Sequence, residues 1–281
     1  RWGTCLRGDV HGHVRRAEGM SIHPSARVHP SSVIDPGAVI GEGCEIGPFC
    51  VLGEHVVLGE RCRLHSHVVI DGHTHLGREN VLFPFASVGL KTQDLKWKGG
   101  TTHTEIGDGN VFRESVTIHS ATNDGDATKI GNHNLFLVNA HVAHDCIIGN
   151  HVILSGVAGL AGHVVMDDHS IISAYSGVHQ FCRIGRFAIV GGAAKVTQDV
   201  PPFRLVDGNP AETKTVNKIG LERNGFSDEA ITALRQAYKI IFREGLTTTN
   251  ALTRIEAELP SLPEIQHLVQ FIRTSERGIC R

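Results

Sequence analysis

The chain has 281 residues, enough to bury a substantial core in one or two domains. Its formal net charge is −2, so no bulk electrostatic pull draws it to nucleic acid or to an anionic membrane surface. Aromatic residues make up only 5% while glycine is frequent at 32, which implies a core of small branched side chains and many tight corners, and no apolar run approaches the ~20 residues that cross a bilayer.

Residues Arg1–Gly19 are polar, rich in Arg, Gly and His, and lack the apolar stretch of a signal peptide. They read as a disordered extension, and a cytoplasmic address is expected. The seven cysteines are odd in number and lack C-x-x-C spacing, so no disulfide is expected.

From Ile22 to Val196 every sixth residue is apolar, with three exceptions. A helix of 3.6 residues per turn cannot hold a period of six on one face, and a plain strand has period two. A hexapeptide period is the signature of a parallel β-helix. The position after the apolar one is often glycine, as at Gly41, Gly59 and Gly149, which suits a tight corner and a close neighbouring backbone. The fifth position holds small or β-branched residues, and Cys44, Cys50, Cys62, Cys146 and Cys182 all fall there. Buried cysteine behaves as a small hydrophobe, so these are packing residues.

The exceptions to the period are Asp94, Gly100 and Asp124. An unpaired carboxylate inside the coil would cost several kcal/mol. Two loops are therefore predicted to leave the coil, near 91–105 and near 121–129, and loops on a rigid scaffold commonly carry function. After Val200-Pro201-Pro202 the period stops. Ser227 reads as a helix N-cap followed by Asp228 and Glu229, with Ile231, Leu234, Tyr238 and Ile241 as the apolar stripe and Gly245 as the stop. Two further helices are predicted near 250–258 and 263–275. The expected organisation is an extension over 1–19, a β-helix domain over 20–206 and a helical domain over 207–281 that caps the solenoid.

Among 19 histidines, hexad phase singles out His144: it alone occupies a third position. Asp145 follows it, and an imidazole beside a carboxylate is a ready general base. Stacking by 18 residues places Gly162 over His144 and His163 over Asp145, so the Gly162 amide is a candidate oxyanion donor. Fourth-position histidines such as His133, His151 and His169 read as solvated corner residues.

With the hexads, Thr92-Gln93-Asp94-Leu95-Lys96, Asn139–Cys146, Leu160-Ala161-Gly162-His163-Val164, Val178-His179-Gln180-Phe181-Cys182 and Gln198-Asp199-Val200-Pro201-Pro202 assembled, the chain resembles the UDP-N-acetylglucosamine acyltransferases of lipid A synthesis over about residues 20–281. The resemblance implies a mainly β fold, a left-handed parallel β-helix in the form of a triangular prism with a C-terminal α-helical domain; the left hand runs against the usual right-handed crossover. It implies a homotrimer with sites between subunits, an acyl carrier protein thioester as (R)-3-hydroxyacyl donor, UDP-N-acetylglucosamine as acceptor at its 3-hydroxyl, and no metal, cofactor or membrane insertion.

Residue by residue, the resemblance makes His144 the base, Asp145 its orienting partner and Gly162 the oxyanion donor. Gln93, Asp94 and Lys96 match substrate-contacting loop residues, and the Lys96 ammonium suits a phosphate. His141, His163, His179 and Gln180 match positions that hold sugar, nucleotide or acyl group. Asn217 and Arg223 match the nucleotide end, and Gly192 matches the position that sets acyl length, where glycine leaves the channel open for a longer chain. Arg186 and Arg204 stand 18 apart and are expected to stack, forming with Arg183 and Lys195 a basic patch for an acidic carrier protein.

Some positions depart from the pattern. Gly156 and Val157 replace a usual pair of asparagines, Ile219 stands where an acid is expected, and Arg223-Asn224 carries one charge rather than two. An N-acyltransferase of the same pathway, a zinc-dependent carbonic anhydrase of γ type drawing on His141, His144, His163 and His179, and a non-enzymatic scaffold remain as alternatives.

Overall fold

The computed structural model describes residues 21–281. The extension expected over 1–19 and Cys5 lie outside the described residues. The period-six side chains point into a triangular prism. Along one wall Ile40, Leu58, Leu76, Ile106, Ile130, Ile148, Met166 and Ile184 are each at most 3% exposed. Burying a Leu or Ile side chain contributes about 1.5–3 kcal/mol, so a continuous inward column stabilises each coil on its neighbours. Three sheets of nine, eleven and nine strands, parallel except for the last strand of the eleven, form the walls of a left-handed parallel β-helix. Most strands are two residues long, because a hexad spends its other four residues on turning a corner.

Stacking starts at eighteen residues, with Ser21 beside Val39. His73 then pairs with His103 and His103 with Ala127, after which Lys129 pairs with Ile147 and the eighteen-residue step returns. Two segments, 91–102 and 121–126, therefore leave the coil at one corner, between the third wall and the first. Both rejoin earlier than predicted, because His103–Ile106 and Ala127–Ile130 are already four-residue strands of the first wall.

Apart from Gly89, whose φ is 78°, the second-position glycines answer to close approach rather than to backbone angle. A Cβ at Gly41 would lie 2.7 Å from the carbonyl carbon of Gly59 in the next coil. Positive φ belongs to the fourth position instead, as at Asp145 (60°), His151 (55°) and His163 (60°). The histidines at that position are more than solvated corners: His133, His151 and His169 stack at 5.3 and 4.7 Å, and His169 stacks on Phe187 at 4.5 Å. The five fifth-position cysteines are fully buried, and four of them, Cys44, Cys50, Cys62 and Cys146, give their thiol protons to carbonyls, Cys146 to Ala161 at 3.2 Å. Burial pushes the Cys146 thiol up to about 12. The six cysteines among the described residues are unbridged.

At Val200 the stacking step drops to sixteen, with Ile184 beside Val200 and Ile189 beside Leu205. The second wall gains a last parallel strand, Arg204–Asp207, and an antiparallel one, Glu212–Val216. The expected boundary near 206 falls within this hairpin. Four helices follow: α1 (Lys218–Arg223), α2 (Asp228–Phe242), α3 (Thr248–Glu258) and α4 (Pro263–Arg273). Ser227 caps α2 by accepting from the Ala230 N–H at 3.1 Å, and Thr247 does the same for α3 at 3.3 Å from Asn250. The chain end returns to the prism, where the Asp199 N–H donates to Gly278 O and the Cys280 N–H to Asp199 O.

The slip to sixteen overturns one expectation. Phe203 lies over Phe187, the rings stacked at 6.3 Å and the Phe203 N–H donating to the Arg186 carbonyl, so Arg204 does not stand over Arg186. Arg204 turns inward and is fully buried under α2, where one guanidinium nitrogen donates to the Leu234 carbonyl at 2.9 Å. It takes no part in a surface patch. No helix of the described residues is long and apolar enough to cross a membrane.

Candidate active site

His144 sits at the corner from which both insertions depart. Its Nδ1 lies 2.7 Å from Asp145 Oδ2. A contact that short to a carboxylate requires the proton on Nδ1, which leaves Nε2 with its lone pair free. Asp145 is itself held: its backbone N–H donates to Thr128 Oγ1 at 2.8 Å, and its Oδ1 accepts from the Thr122 N–H at 3.3 Å. Side-chain exposure is 15% for His144 and 8% for Asp145, so the dyad works in a partly desolvated corner.

The first insertion brings Asp94 Oδ2 to 3.9 Å from His144 Nε2. One coil further, His163 crosses His144 edge-on at 5.2 Å and 88° and puts its Nε2 3.6 Å from Asp145 Oδ2. His163 is braced on its other face by Phe181 of the next coil, stacked at 4.5 Å. The His144 imidazole occupies the space over Gly162, whose N–H donates to no protein acceptor among the described residues. An imidazole with an open nitrogen therefore stands beside a glycine with an open backbone amide, the two kinds of group that general-base acyl transfer uses.

Beside this corner the third wall carries a groove of about 420 Å³ lined by His141, Gly159, Gly177, Val178, His179 and Lys195. His141 Nδ1 lies 2.7 Å from Thr117 Oγ1. Burial, and then the neighbouring His144, holds His141 below the usual imidazole range. A Cβ built on Gly159 or Gly177 would touch nothing within 4 Å, so the groove floor is bare backbone.

These features sit within a chain that has close relatives. The sequence pattern for domain 2 of UDP-N-acetylglucosamine O-acyltransferases matches residues 199–280, and that for bacterial transferase hexapeptide repeats matches 19–54 and 37–72. The acyl-[acyl-carrier-protein]--UDP-N-acetylglucosamine O-acyltransferase of Anaeromyxobacter sp. (strain Fw109-5) is 46% identical over 211 residues, 75% of this chain and 82% of the relative. The enzyme of that name from Synechocystis sp. is 42% identical over 208 residues, 74% of this chain and 75% of the relative. The crystal structure of the UDP-N-acetylglucosamine acyltransferase from Bacteroides fragilis superposes with a TM-score of 0.84 at 42% identity, covering 92% of this chain and 100% of that one. This chain belongs to the UDP-N-acetylglucosamine O-acyltransferase family.

Within the acyltransferase, the residues singled out from sequence fall into five places. His144, Asp145, Gly162, His163 and Asp94 form one cluster. His141 and His179 line the adjoining groove; His179 is exposed, with Nδ1 3.2 Å from the Gln180 carbonyl, and Gln180 is exposed beside it. Gln93 and Lys96 are exposed on the first insertion, where the Lys96 N–H donates to Asp94 Oδ1 at 2.9 Å. Gly192 is open on its corner, with only the Ala174 carbonyl, at 3.6 Å, near an added Cβ.

The helical end holds the rest. Asn217 is a buried N-cap: its Oδ1 accepts from the Gly220 N–H at 3.0 Å and its Nδ2 donates to the Phe187 carbonyl at 2.9 Å. Arg223 is exposed in the last turn of α1. His144, Asp145 and His163 also have ligand atoms within 4.8 Å of one another, the set among the described residues that could hold a metal.

Sequence reasoning assigns no role to four residues here. Thr92, Thr122 and Thr128 hydrogen-bond within or around the dyad, and His119 packs edge-on against His141 at 5.1 Å. Thr122 reaches His144 across 22 residues and a loop, a separation at which hexad phase carries no signal.

Proposed function

We propose that this acyltransferase moves an (R)-3-hydroxyacyl group from acyl carrier protein to the 3-hydroxyl of UDP-N-acetylglucosamine, the first step of lipid A biosynthesis. The observation that carries the reading is the His144–Asp145 dyad with its free Nε2 over the Gly162 amide. In this mechanism His144 Nε2 takes the proton of the sugar 3-hydroxyl as that oxygen attacks the thioester carbonyl carbon. Asp145 stabilises the imidazolium through Nδ1–H. The carbonyl π electrons move to oxygen, and the Gly162 N–H stabilises that oxyanion. Collapse re-forms the carbonyl, breaks the C–S bond and returns the proton from Nε2 to the departing carrier-protein thiolate.

The groove over Gly159 and Gly177 takes the acyl chain, and Gly192 leaves its far end open. His141, His163, His179 and Gln180 contact sugar and acyl group. Gln93, Asp94 and Lys96 reach over the sugar nucleotide, and Asn217 and Arg223 serve its nucleotide end, Asn217 by fixing the start of α1.

The second wall presents Val111, Leu135, Ile153, Ile171 and Ile189 outward in one half-buried aliphatic column. We infer that this column meets other copies in a homotrimer and that the site is a cleft between subunits. Sedimentation of a species three times the chain mass, lost in Ile153→Arg, is the expected outcome.

The deciding experiment is a mass-spectrometric product assay with UDP-N-acetylglucosamine and a series of 3-hydroxyacyl carrier proteins. A 3-O-acylated sugar nucleotide is expected, and His144→Ala is expected to lose at least 10²–10⁴-fold in turnover with its assembly intact. Turnover of that variant near the unmodified level would refute the assignment.

A further inference from the structure

We propose that Thr122 is a positioning residue for the base, and that its hydroxyl and that of Thr92 form a latch joining both insertions to His144. The inference rests on the reading of His144 as general base. Thr122 Oγ1 lies 3.0 Å from His144 Nδ1 and 3.1 Å from Thr92 Oγ1. Thr92 comes from the first insertion and Thr122 from the second, and the two are 5% and 4% exposed.

The direction of this chain of hydrogen bonds follows from its ends. The Nδ1 proton is fixed by Asp145 Oδ2 at 2.7 Å, so Thr122 Oγ1 can only accept at that nitrogen. Its own proton is then free for Thr92 Oγ1. Thr92 Oγ1 also accepts from the Asp94 N–H at 3.1 Å, and Asp94 Oδ2 stands 3.9 Å from His144 Nε2. The latch therefore runs from the protonated side of the imidazole, through both loops, to the residue facing its reactive side. The Thr122 N–H holds Asp145 Oδ1 as well, so one residue orients both members of the dyad.

Two consequences separate this role from simple loop packing. An acceptor on Nδ1–H stabilises the imidazolium more than the imidazole, so its loss lowers the affinity of His144 for a proton. Thr92 touches the base only through Thr122, so its loss frees the substrate-facing loop more than the ring.

The test compares Thr122→Val, Thr122→Ser and Thr92→Val with the unmodified enzyme and His144→Ala. Thr122→Val should lose about ten- to hundredfold in kcat, the range for a hydrogen bond to a charged group, with the acid limb of its kcat/KM profile moved to lower pH. Thr122→Ser should recover most of that loss. Thr92→Val should mainly raise KM for UDP-N-acetylglucosamine. If Thr122→Val keeps its kcat and pH profile while His144→Ala is inactive, the latch is refuted and the base assignment stands. If Thr122→Val loses thermal stability and Thr122→Ser restores neither turnover nor the acid limb, Thr122 is a packing residue and the proposal fails. If His144→Ala itself stays active, the base assignment fails and the latch with it.

Discussion

The His144 imidazole fills the space where a side chain at Gly162 would begin. A Cβ built on Gly162 would lie 2.3 Å from His144 Cε1 and 2.5 Å from its Nε2. Glycine at 162 is thus set by the position of the His144 ring one coil earlier.

The first prediction follows directly. Gly162→Ala keeps the hexad, because residue 162 has an ordinary φ and points away from the core, but it forces the imidazole off Asp145. Displacements of about 1 Å at a reacting group cost on the order of 10²-fold. Turnover should fall by about that factor with little change in melting temperature. Steady-state kinetics beside thermal unfolding checks it, and an Ala variant with full turnover would contradict the geometry.

Acyl length should respond to Gly192. Only the Ala174 carbonyl, at 3.6 Å, approaches an added Cβ there, so a larger side chain projects into open space instead of disturbing the coil. Gly192→Met is expected to shift the preferred donor to shorter 3-hydroxyacyl chains while the fold is kept. Competition among carrier proteins of graded chain length, read by product mass, gives the answer; an unchanged length profile rules the role out.

Arg204 should prove dispensable as a charge. Burial pushes its guanidinium down to about 9, and Nε and Nη2 lack hydrogen-bond partners. Its compensation is the Leu234 carbonyl and the rings of Tyr238 and Phe242, 5.8 and 6.0 Å away. Replacing a buried charge by an apolar side chain of similar volume is often neutral or stabilising. Arg204→Met should match or exceed the unmodified protein in melting temperature, whereas Arg204→Ala should lose about 2–5 kcal/mol through the cavity it leaves. Equal destabilisation of both would mean that the charge itself is required.

Mild acid should weaken the fold. Burial holds His73, His119, His141, His169 and His267 below the usual imidazole range; neighbouring imidazoles or guanidinium groups add to the effect, while Asp168 beside His169 and Asp167 beside His267 partly oppose it. Between those lowered values and the ordinary value near 6.5 the unfolded chain binds more protons than the folded one, so stability present above about pH 6.5 is lost as pH falls. Melting temperature should therefore drop between pH 7.5 and 5.5. A flat profile across that window would show that these imidazoles are solvated in the folded state.

The fold was legible because one physical rule repeats: a side chain six residues on meets the same wall, and an inward Asp is intolerable. That rule located the prism and both insertions. It also phased His144 apart from the other histidines and placed Gly162 above it. It was silent on contacts made outside the walls. The Thr92–Thr122 pair is formed by two loops whose paths no period describes. Arg204 was misplaced because the eighteen-residue step was carried past Val200, where Pro202 crowds Gly185 and the step shortens to sixteen. The hairpin ending at Val216 and the six-residue α1 are too short to leave a pattern of their own.

The two insertions add twelve and six residues to their coils, whole multiples of the hexad. Excising residues 91–102 would bring Leu90 against His103, and excising 121–126 would bring Ser120 against Ala127. In both cases Thr104 and Thr128, fully buried at fifth positions, would stay in place under an unbroken wall. The prism and the two insertions are thus separable: a shortened protein would stack as well as before, having given up the loops that reach His144 and kept its shape.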